Sequence, residues 1–344
     1  MKSLITKLFL GLLIFPLCLI LFYNYLSSYT IQSTDNHLKS LQNIEQSYNL
    51  EFKDYLKFNI QPNSLHKCNN ISAKKFIFVY VFVRVEHFER RDAIRATWAN
   101  KRLFSFLNVA FVIGLSTNQS EVFIRKLNQE QADHADLIQG NFIDSYKNLS
   151  YKSLLAWEWI ADKCSNAKYI LKIDDDVVLN TFNLRKFLKD ESKFVFSLSN
   201  FEKLKNTFIC RVVPGDNVCR DKNTCGKVYA SEKEYNEKLY GLANKYGRFC
   251  SGVAVLMTPD LVSNLLMKAS QIKLFFIDDV YVGIVGRYAE ANFIQLWNKY
   301  IVKKELDILT KYSDILFVRD ADSLSDIYFV WNTLRNRSNS QMIF

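Results

Sequence analysis

Two acidic clusters in the chain have the residue types and spacing that chemistry needs. The first is Asp174, Asp175 and Asp176 within KYILKIDDDVVLN, and the second is Asp278 and Asp279 within FFIDDVYVG. Each follows an apolar run, where adjacent anions repel and are costly to desolvate unless a cation or proton balances them. Side chains alternate along an extended backbone, so Asp174 and Asp176 share one side while Asp175 points away. Two oxygen donors at that spacing suit a hard divalent cation, Mn2+ or Mg2+, with diphosphate oxygens as its other ligands. The alternative is an Asp-rich turn or helix cap. In the second cluster a neighbouring carboxylate would raise the pKa of one of the pair, a condition that suits a general base. There the alternative is that one of the pair only caps the helix that follows.

A basic pair accompanies them. Arg91 and Arg95, in RRDAIRATWANK, lie four residues apart and share one helical face where a strand gives way to a helix. A guanidinium there can reach a diphosphate or a uracil carbonyl. Equally, the two arginines can bridge to acids on a neighbouring element. Trp98 is read as core.

The elements that must position these groups alternate between strand and helix. KFIFVYVFVR is apolar and β-branched, as in a strand buried on both faces. RRDAIRATWANK reads as a helix, NVAFVIGLS as a strand, residues 121–134 as a helix and ADLIQGNF as a short strand. DSYKNLSYKSLLAWEWIADKC is a long amphipathic helix with Asp144 or Ser145 as candidate caps, and KYILKI is the next strand. That order predicts an α/β fold with a doubly wound, mostly parallel sheet. Ligands bind such sheets beyond the carboxyl ends of the strands, which is where the acid triplet falls.

The N-terminus sets the expected compartment. After Lys2 and Lys7 no charged residue appears until Asp35, and the apolar run 8–26 approaches the roughly 20 residues that cross a bilayer. The expected organisation is a cytoplasmic tail (1–7), a transmembrane signal anchor (8–26), a luminal stem (27–73) and a catalytic domain (74–344), with the positive flank kept cytoplasmic. A cleaved signal peptide would need a small-residue cleavage site, and FYNYLSS is a poor one. Sequons at Asn70, Asn118, Asn148 and Asn336 fit a luminal destination, and the one at Asn148 lies inside a motif where it could be masked. Outside the span lie Cys68, Cys164, Cys210, Cys219, Cys225 and Cys250, enough for three disulfides in any of 15 pairings. The net charge of +10 is diffuse, with no Lys/Arg run or nucleic-acid motif.

At this point the sequence resembles the β-1,3-galactosyl- and N-acetylglucosaminyltransferases of glycosyltransferase family 31. The resemblance runs from about residue 74 to residue 286 through six motifs in order. RRDAIRATW is similar to R-x-x-I-R-x-T-W, FVIGLS to the second strand, and DLIQGNFIDSYKNLSYKSL to D-F-x-D-x-Y-x-N-L-T-x-K. KYILKIDDDVVLN resembles K-x-D-D-D-x-F-x-N, RFCSGVAVL resembles Y-C-S-G-G-G-Y, and FFIDDVYVG resembles E-D-V-Y-V-G.

The resemblance implies a GT-A-like nucleotide-sugar-binding domain in a single-pass type II Golgi membrane protein, its catalytic domain luminal. It implies inverting transfer from UDP-galactose or UDP-N-acetylglucosamine to a hydroxyl of a glycan acceptor on protein or lipid, with galactose the favoured donor. In that setting Asp176 is the first metal ligand, Asp174 a second carboxylate or a nucleotide contact, and Asp175 either. Arg91, Arg95 and Lys152 are nucleotide-sugar contacts, and Asp144 and Tyr146 organise the helix start. Asp279 is the catalytic base, with Asp278 next. Val253 and Ala254 replace a usual glycine run, YGRFC replaces Y-P-x-Y-C, Val228 replaces a frequent Trp, and no histidine follows His134. These departures leave the donor sugar open and exclude a C-terminal histidine ligand. They also keep a non-catalytic luminal relative in view; a metal-dependent phosphohydrolase has no supporting signature.

Overall fold

The computed structural model describes residues 56–62, 68, 76–189, 204–242, 244–296, 298–305, 309, 311 and 313–342. The expected tail, membrane span and sequon Asn70 lie outside the described residues. Among the described residues no helix is long and apolar enough to cross a membrane.

The centre is an eight-stranded sheet ordered β1-β4-β3-β2-β5-β8-β7-β9. Its strands are β1 (Phe58–Ile60), β2 (Ile77–Phe82), β3 (Leu107–Leu115), β4 (Leu137–Ile143), β5 (Tyr169–Asp174), β7 (Thr207–Val213), β8 (Phe249–Met257) and β9 (Asn292–Gln295). A second, three-stranded sheet joins β10 (Ile301–Lys303), β11 (Phe317–Arg319) and β6 (Val178–Leu179) in that order. The principal helices are α1 (Phe88–Ala96), α2 (Glu121–His134), α3 (Leu149–Lys163), α4 (Thr181–Lys189), α5 (Pro259–Ala269), α6 (Asp278–Tyr288) and α7 (Leu324–Met342).

Strand β2 shows why the sheet is central. All six of its residues are buried, and they divide by parity. Ile77, Val79 and Val81 join the core with Ile94, Trp98, Leu127 and Trp331, while Phe78, Tyr80 and Phe82 join the opposite core with Trp157, Trp159, Leu261 and Tyr281. A period of two with both faces apolar is what a strand covered by helices on both sides requires.

Three expectations are corrected. The sheet is mixed rather than mostly parallel. β4, β3, β2 and β5 run parallel, but β8 is antiparallel to both β5 and β7, and β1 is antiparallel to β4. Parity alone does not distinguish a strand's direction, and β8 reads as buried either way. Residues 58–60, expected in the stem, instead cover the free edge of β4, where unpaired backbone groups would otherwise face solvent. Third, neither Asp144 nor Ser145 caps the long helix with its side chain: a single 3-10 turn, Tyr146–Asn148, leads into α3.

All six cysteines outside the expected membrane span are paired: Cys68–Cys164, Cys210–Cys250 and Cys219–Cys225. The second bridge ties β7 to β8 beside the acidic clusters. The first ties Cys68, between β1 and β2 in the chain, to the end of α3.

Candidate active site

The parallel strands β2, β3, β4 and β5 end on one edge of the sheet, and both acidic clusters gather there. β5 ends at Asp174, and the chain turns immediately, with Val177 N donating to the Asp174 carbonyl at 3.2 Å. Asp174 and Asp175 leave in opposite directions, as alternation expects. The Lys172 ammonium donates to Asp174 Oδ1 at 2.7 Å, whereas Asp175 Oδ2 faces His87 Nδ1 at 3.2 Å and Arg90 Nε at 3.5 Å. Asp176 lies in the turn. Among the described residues its carboxylate has no ion-pair partner and meets only its own backbone N–H.

The second cluster opens α6, with both acids in the first turn, where backbone N–H groups favour negative charge. Asp278 is 6% exposed and accepts a hydrogen bond from Ser153 Oγ at 2.6 Å. Asp279 is half-buried, and its Oδ2 accepts from Gly252 N on β8 at 2.8 Å. Its Oδ1 has no hydrogen-bond partner among the described residues. Gly252 is required for this approach, since a Cβ there would sit 2.3 Å from Asp279 Oδ1.

Lys172 links the clusters. Besides Asp174, its Nζ donates to the Gly252 carbonyl at 2.8 Å and lies 3.8 Å from Asp278 Oδ2. Burial alone would lower this ammonium, but Asp174, Asp278 and Asp279 outweigh that and hold it above the usual lysine range. The acids carry the converse strain. Burial, together with Asp279, pushes Asp278 up to about 7 against the opposing pull of Lys172. Burial likewise raises Asp174 to about 6, although 38% of its side chain remains open to solvent. Asp176 is raised by burial and then by Asp175. The Tyr146 hydroxyl is pushed up to about 12 by burial and then by Asp279, Asp278 and Asp174.

Three expected nucleotide contacts are elsewhere. Arg91 is fully buried and forks onto Glu130, with Nε to Oε1 at 2.7 Å and Nη2 to Oε2 at 2.6 Å; its Nη1 donates to the carbonyls of Arg84 and Val85. Arg95 forks onto Asp136, with Nη2 to Oδ1 at 2.7 Å, and also reaches Glu130 and Asp92. The alternative of arginines bridging to neighbouring acids holds for this pair, and both guanidinium groups are spent between α1, α2 and β4. Lys152 is 1% exposed, donates to the Val83 carbonyl at 2.7 Å and pairs with Asp144 at 2.8 Å. Asp144 Oδ2 also accepts from Val85 N and Gly114 N, each at 3.0 Å. This buried pair fixes the loop after β2 rather than facing a ligand. Burial lowers the Lys152 ammonium despite Asp144.

Sequence reasoning missed Lys172, Ser153, His87 and Arg90. Lys172 had a readable signal, because a residue two before Asp174 on a strand shares its face. For the others no local pattern exists, since the acids they meet are 88, 85 and 125 positions away in the chain. Of the sequons, Asn118 is exposed, as is Asn336 within α7, whereas the Asn148 side-chain amide donates to the Ile143 carbonyl at 2.8 Å.

Among the described residues no group of three or more His, Cys, Asp or Glu side chains is gathered closely enough to hold a metal ion by itself. Among the described residues, the five carboxylates at this edge are met by two permanent side-chain cations, Lys172 and Arg90, and neither forms an ion pair with Asp176. Hard carboxylate oxygens are the donors that a divalent cation takes.

The family model described as Galactosyltransferase matches residues 89–296, more than half of the chain and both acidic clusters. The chain belongs to the galactosyltransferase family. It is a glycosyltransferase by that membership. It is 28% identical to the rat UDP-GalNAc:beta-1,3-N-acetylgalactosaminyltransferase 1 over 251 residues, covering 72% of this chain and 70% of the relative. To mouse beta-1,3-galactosyltransferase 1 it is 27% identical over 287 residues, covering 82% and 80%. Among solved structures it is similar to WbbM, a bifunctional glycosyltransferase, at 11% identity and a TM-score of 0.40, covering 78% of this chain and 52% of that one.

Proposed function

We propose that this protein is an inverting, UDP-sugar-dependent β-1,3-hexosyltransferase that moves galactose onto a glycan acceptor on protein or lipid. It works as a type II Golgi membrane protein with its catalytic domain in the lumen. The observation that carries this reading is the pairing of two acidic clusters with different constraints across one sheet edge. Among the described residues Asp176 has no ion-pair partner, while Asp279 has one oxygen fixed by Gly252 N and no hydrogen-bond partner on the other.

Asp176, with Asp174 beside it, would hold Mn2+ or Mg2+. That ion supplies charge neutralisation for the departing UDP. Asp279 Oδ1 takes the proton from the acceptor hydroxyl as its oxygen bonds to the anomeric carbon. The bond from that carbon to the diphosphate oxygen breaks on the opposite face, which inverts the configuration. Asp278, hydrogen-bonded to Ser153 and facing Lys172, is the less suited base, because its oxygens already have partners. Lys172 keeps Asp174 and the Gly252 carbonyl in register, so the cation side and the base side share one anchor.

The full chain incubated with UDP-galactose, UDP-N-acetylglucosamine or UDP-N-acetylgalactosamine, Mn2+ and a panel of glycan acceptors provides the test. UDP release with transfer from UDP-galactose is the expected result. Folded protein that turns over none of the donors would refute the enzyme reading, and preference for another donor would refute galactose.

A further inference from the structure

The family match ends at residue 296, yet the chain beyond it returns to the acidic turn. β6, directly after the turn, pairs antiparallel with β11 through Val178 with Val318 and Leu179 with Phe317. Asn180 N donates to the Leu316 carbonyl at 2.8 Å, and Ala321 N donates to the Asp176 carbonyl at 2.9 Å. Between β11 and α7 the strap Asp320–Asp322 lies against the turn. Its first residue, Asp320, has φ of +66°, a left-handed conformation uncommon outside glycine, though Asp takes it more readily than most residues.

Arg90 contacts both the turn and the strap. Its Nη1 donates to the Asp175 carbonyl and the Ala321 carbonyl, each at 3.0 Å, and its Nη2 donates to the Asp322 carbonyl. Its Nε lies 3.5 Å from Asp175 Oδ2. The side chain is only 13% exposed. One guanidinium therefore joins α1, the acidic turn and the C-terminal strap. A planar fork can serve several acceptors in one plane at once, whereas a single ammonium cannot match that geometry. Both carbonyls of the turn are thereby held, that of Asp175 by Arg90 and that of Asp176 by Ala321 N. At its far end the strap is anchored by Lys304, whose Nζ lies 2.8 Å from Asp326 and 3.8 Å from Asp322.

We infer that Arg90 is a positioning residue: acting through the C-terminal strap, it sets the geometry of the Asp175–Asp176 turn for the diphosphate end of the donor. This rests on the donor-site reading above. It gives the chain beyond residue 296 a part in donor binding.

The test uses the full chain as wild type, Arg90→Lys and Arg90→Ala. UDP affinity in the presence of Mn2+ is measured by calorimetry, KM by UDP release for donor and acceptor separately, and folding by thermal melting. A turn displaced by a fraction of an ångström should weaken UDP binding and raise the donor KM by about tenfold or more, with the acceptor KM unchanged. Arg90→Lys, which keeps the charge and loses the fork, should behave like Arg90→Ala and carries the test if the alanine variant does not fold. UDP affinity within about twofold of wild type in Arg90→Lys overturns the inference while leaving the donor site standing. A lowered melting temperature with unchanged UDP affinity overturns it equally, since the role is then only structural. A wild-type chain that binds no UDP removes the donor-site reading, and the inference with it.

Discussion

Replacing Gly252 with alanine should separate stability from catalysis. A Cβ at this position would stand 2.3 Å from Asp279 Oδ1, 2.9 Å from its Cγ and 3.0 Å from Oδ2. Ordinary carbon–oxygen contact needs about 3.3 Å or more, so the carboxylate must retreat by about 1 Å. The atoms met are the end of a half-buried side chain that can rotate away, so β8 keeps its pairing with β5 through Ile173 with Ala254. Losing the 2.8 Å bond from Gly252 N then costs about 1–3 kcal/mol of stability, within the usual range for a bond to a charged group. The chemistry is less tolerant. General-base catalysis is worth roughly 10²- to 10⁴-fold, and a displacement of about 1 Å removes on the order of 10²-fold. The expected outcome for Gly252→Ala is a kcat down by about two orders of magnitude, donor KM within about threefold and a melting temperature only a few degrees lower. Initial rates of UDP release across donor and acceptor concentrations, with a thermal melt, read all three. A variant that keeps kcat within about threefold would refute Asp279 as the base held by Gly252 N.

Asp278→Asn should keep most activity and change the pH dependence of stability. The folded-state pKa of Asp278, about 7, lies above its unfolded value, so its contribution is full below the unfolded pKa and is lost as pH rises through about 7. Wild type should therefore lose stability between about pH 5 and pH 8 in the absence of Mn2+ and UDP, and the variant should lose less; equal slopes in melts across that range would contradict the burial argument. Glu130→Ala leaves the buried Arg91 guanidinium without its carboxylate and should destabilise the fold by about 3–5 kcal/mol, read by chemical denaturation. If Arg91 served the nucleotide instead, the loss would appear in donor KM. For glycosylation, site-occupancy mass spectrometry of the secretory-pathway product should find glycan on exposed Asn118 and none on Asn148, whose amide nitrogen is held by Ile143.

The strands and principal helices of the first half of the chain were readable, because β2, β3 and β5 are mostly apolar and α2 starts and stops where its residues imply. Both acidic clusters were legible as well, since consecutive aspartates after an apolar run cannot be buried unless their charge is balanced. The basic partners were not. Arg91 and Arg95 sit at the spacing a ligand contact needs, but Glu130 and Asp136, some 40 positions later, claim them. Lys152 matches a motif position, yet its depth in α3 commits it to Asp144. In each case a long-range partner decided the role, and a one-dimensional pattern does not contain partners.

What the sequence alone determined is the chemistry on offer: five carboxylates in two runs, a buried strand leading to one, a helix opening at the other, and the family to which those motifs belong. Only the tertiary structure decided which groups remain available. It places β8 antiparallel beside β5, which brings Gly252 against Asp279 and lets the Lys172 ammonium reach both clusters. It also returns the C-terminal strap to the acidic turn, where Arg90 holds it. The physical reason is that residue type sets what a side chain can do, while burial and pairing across the fold set whether it is free to do it.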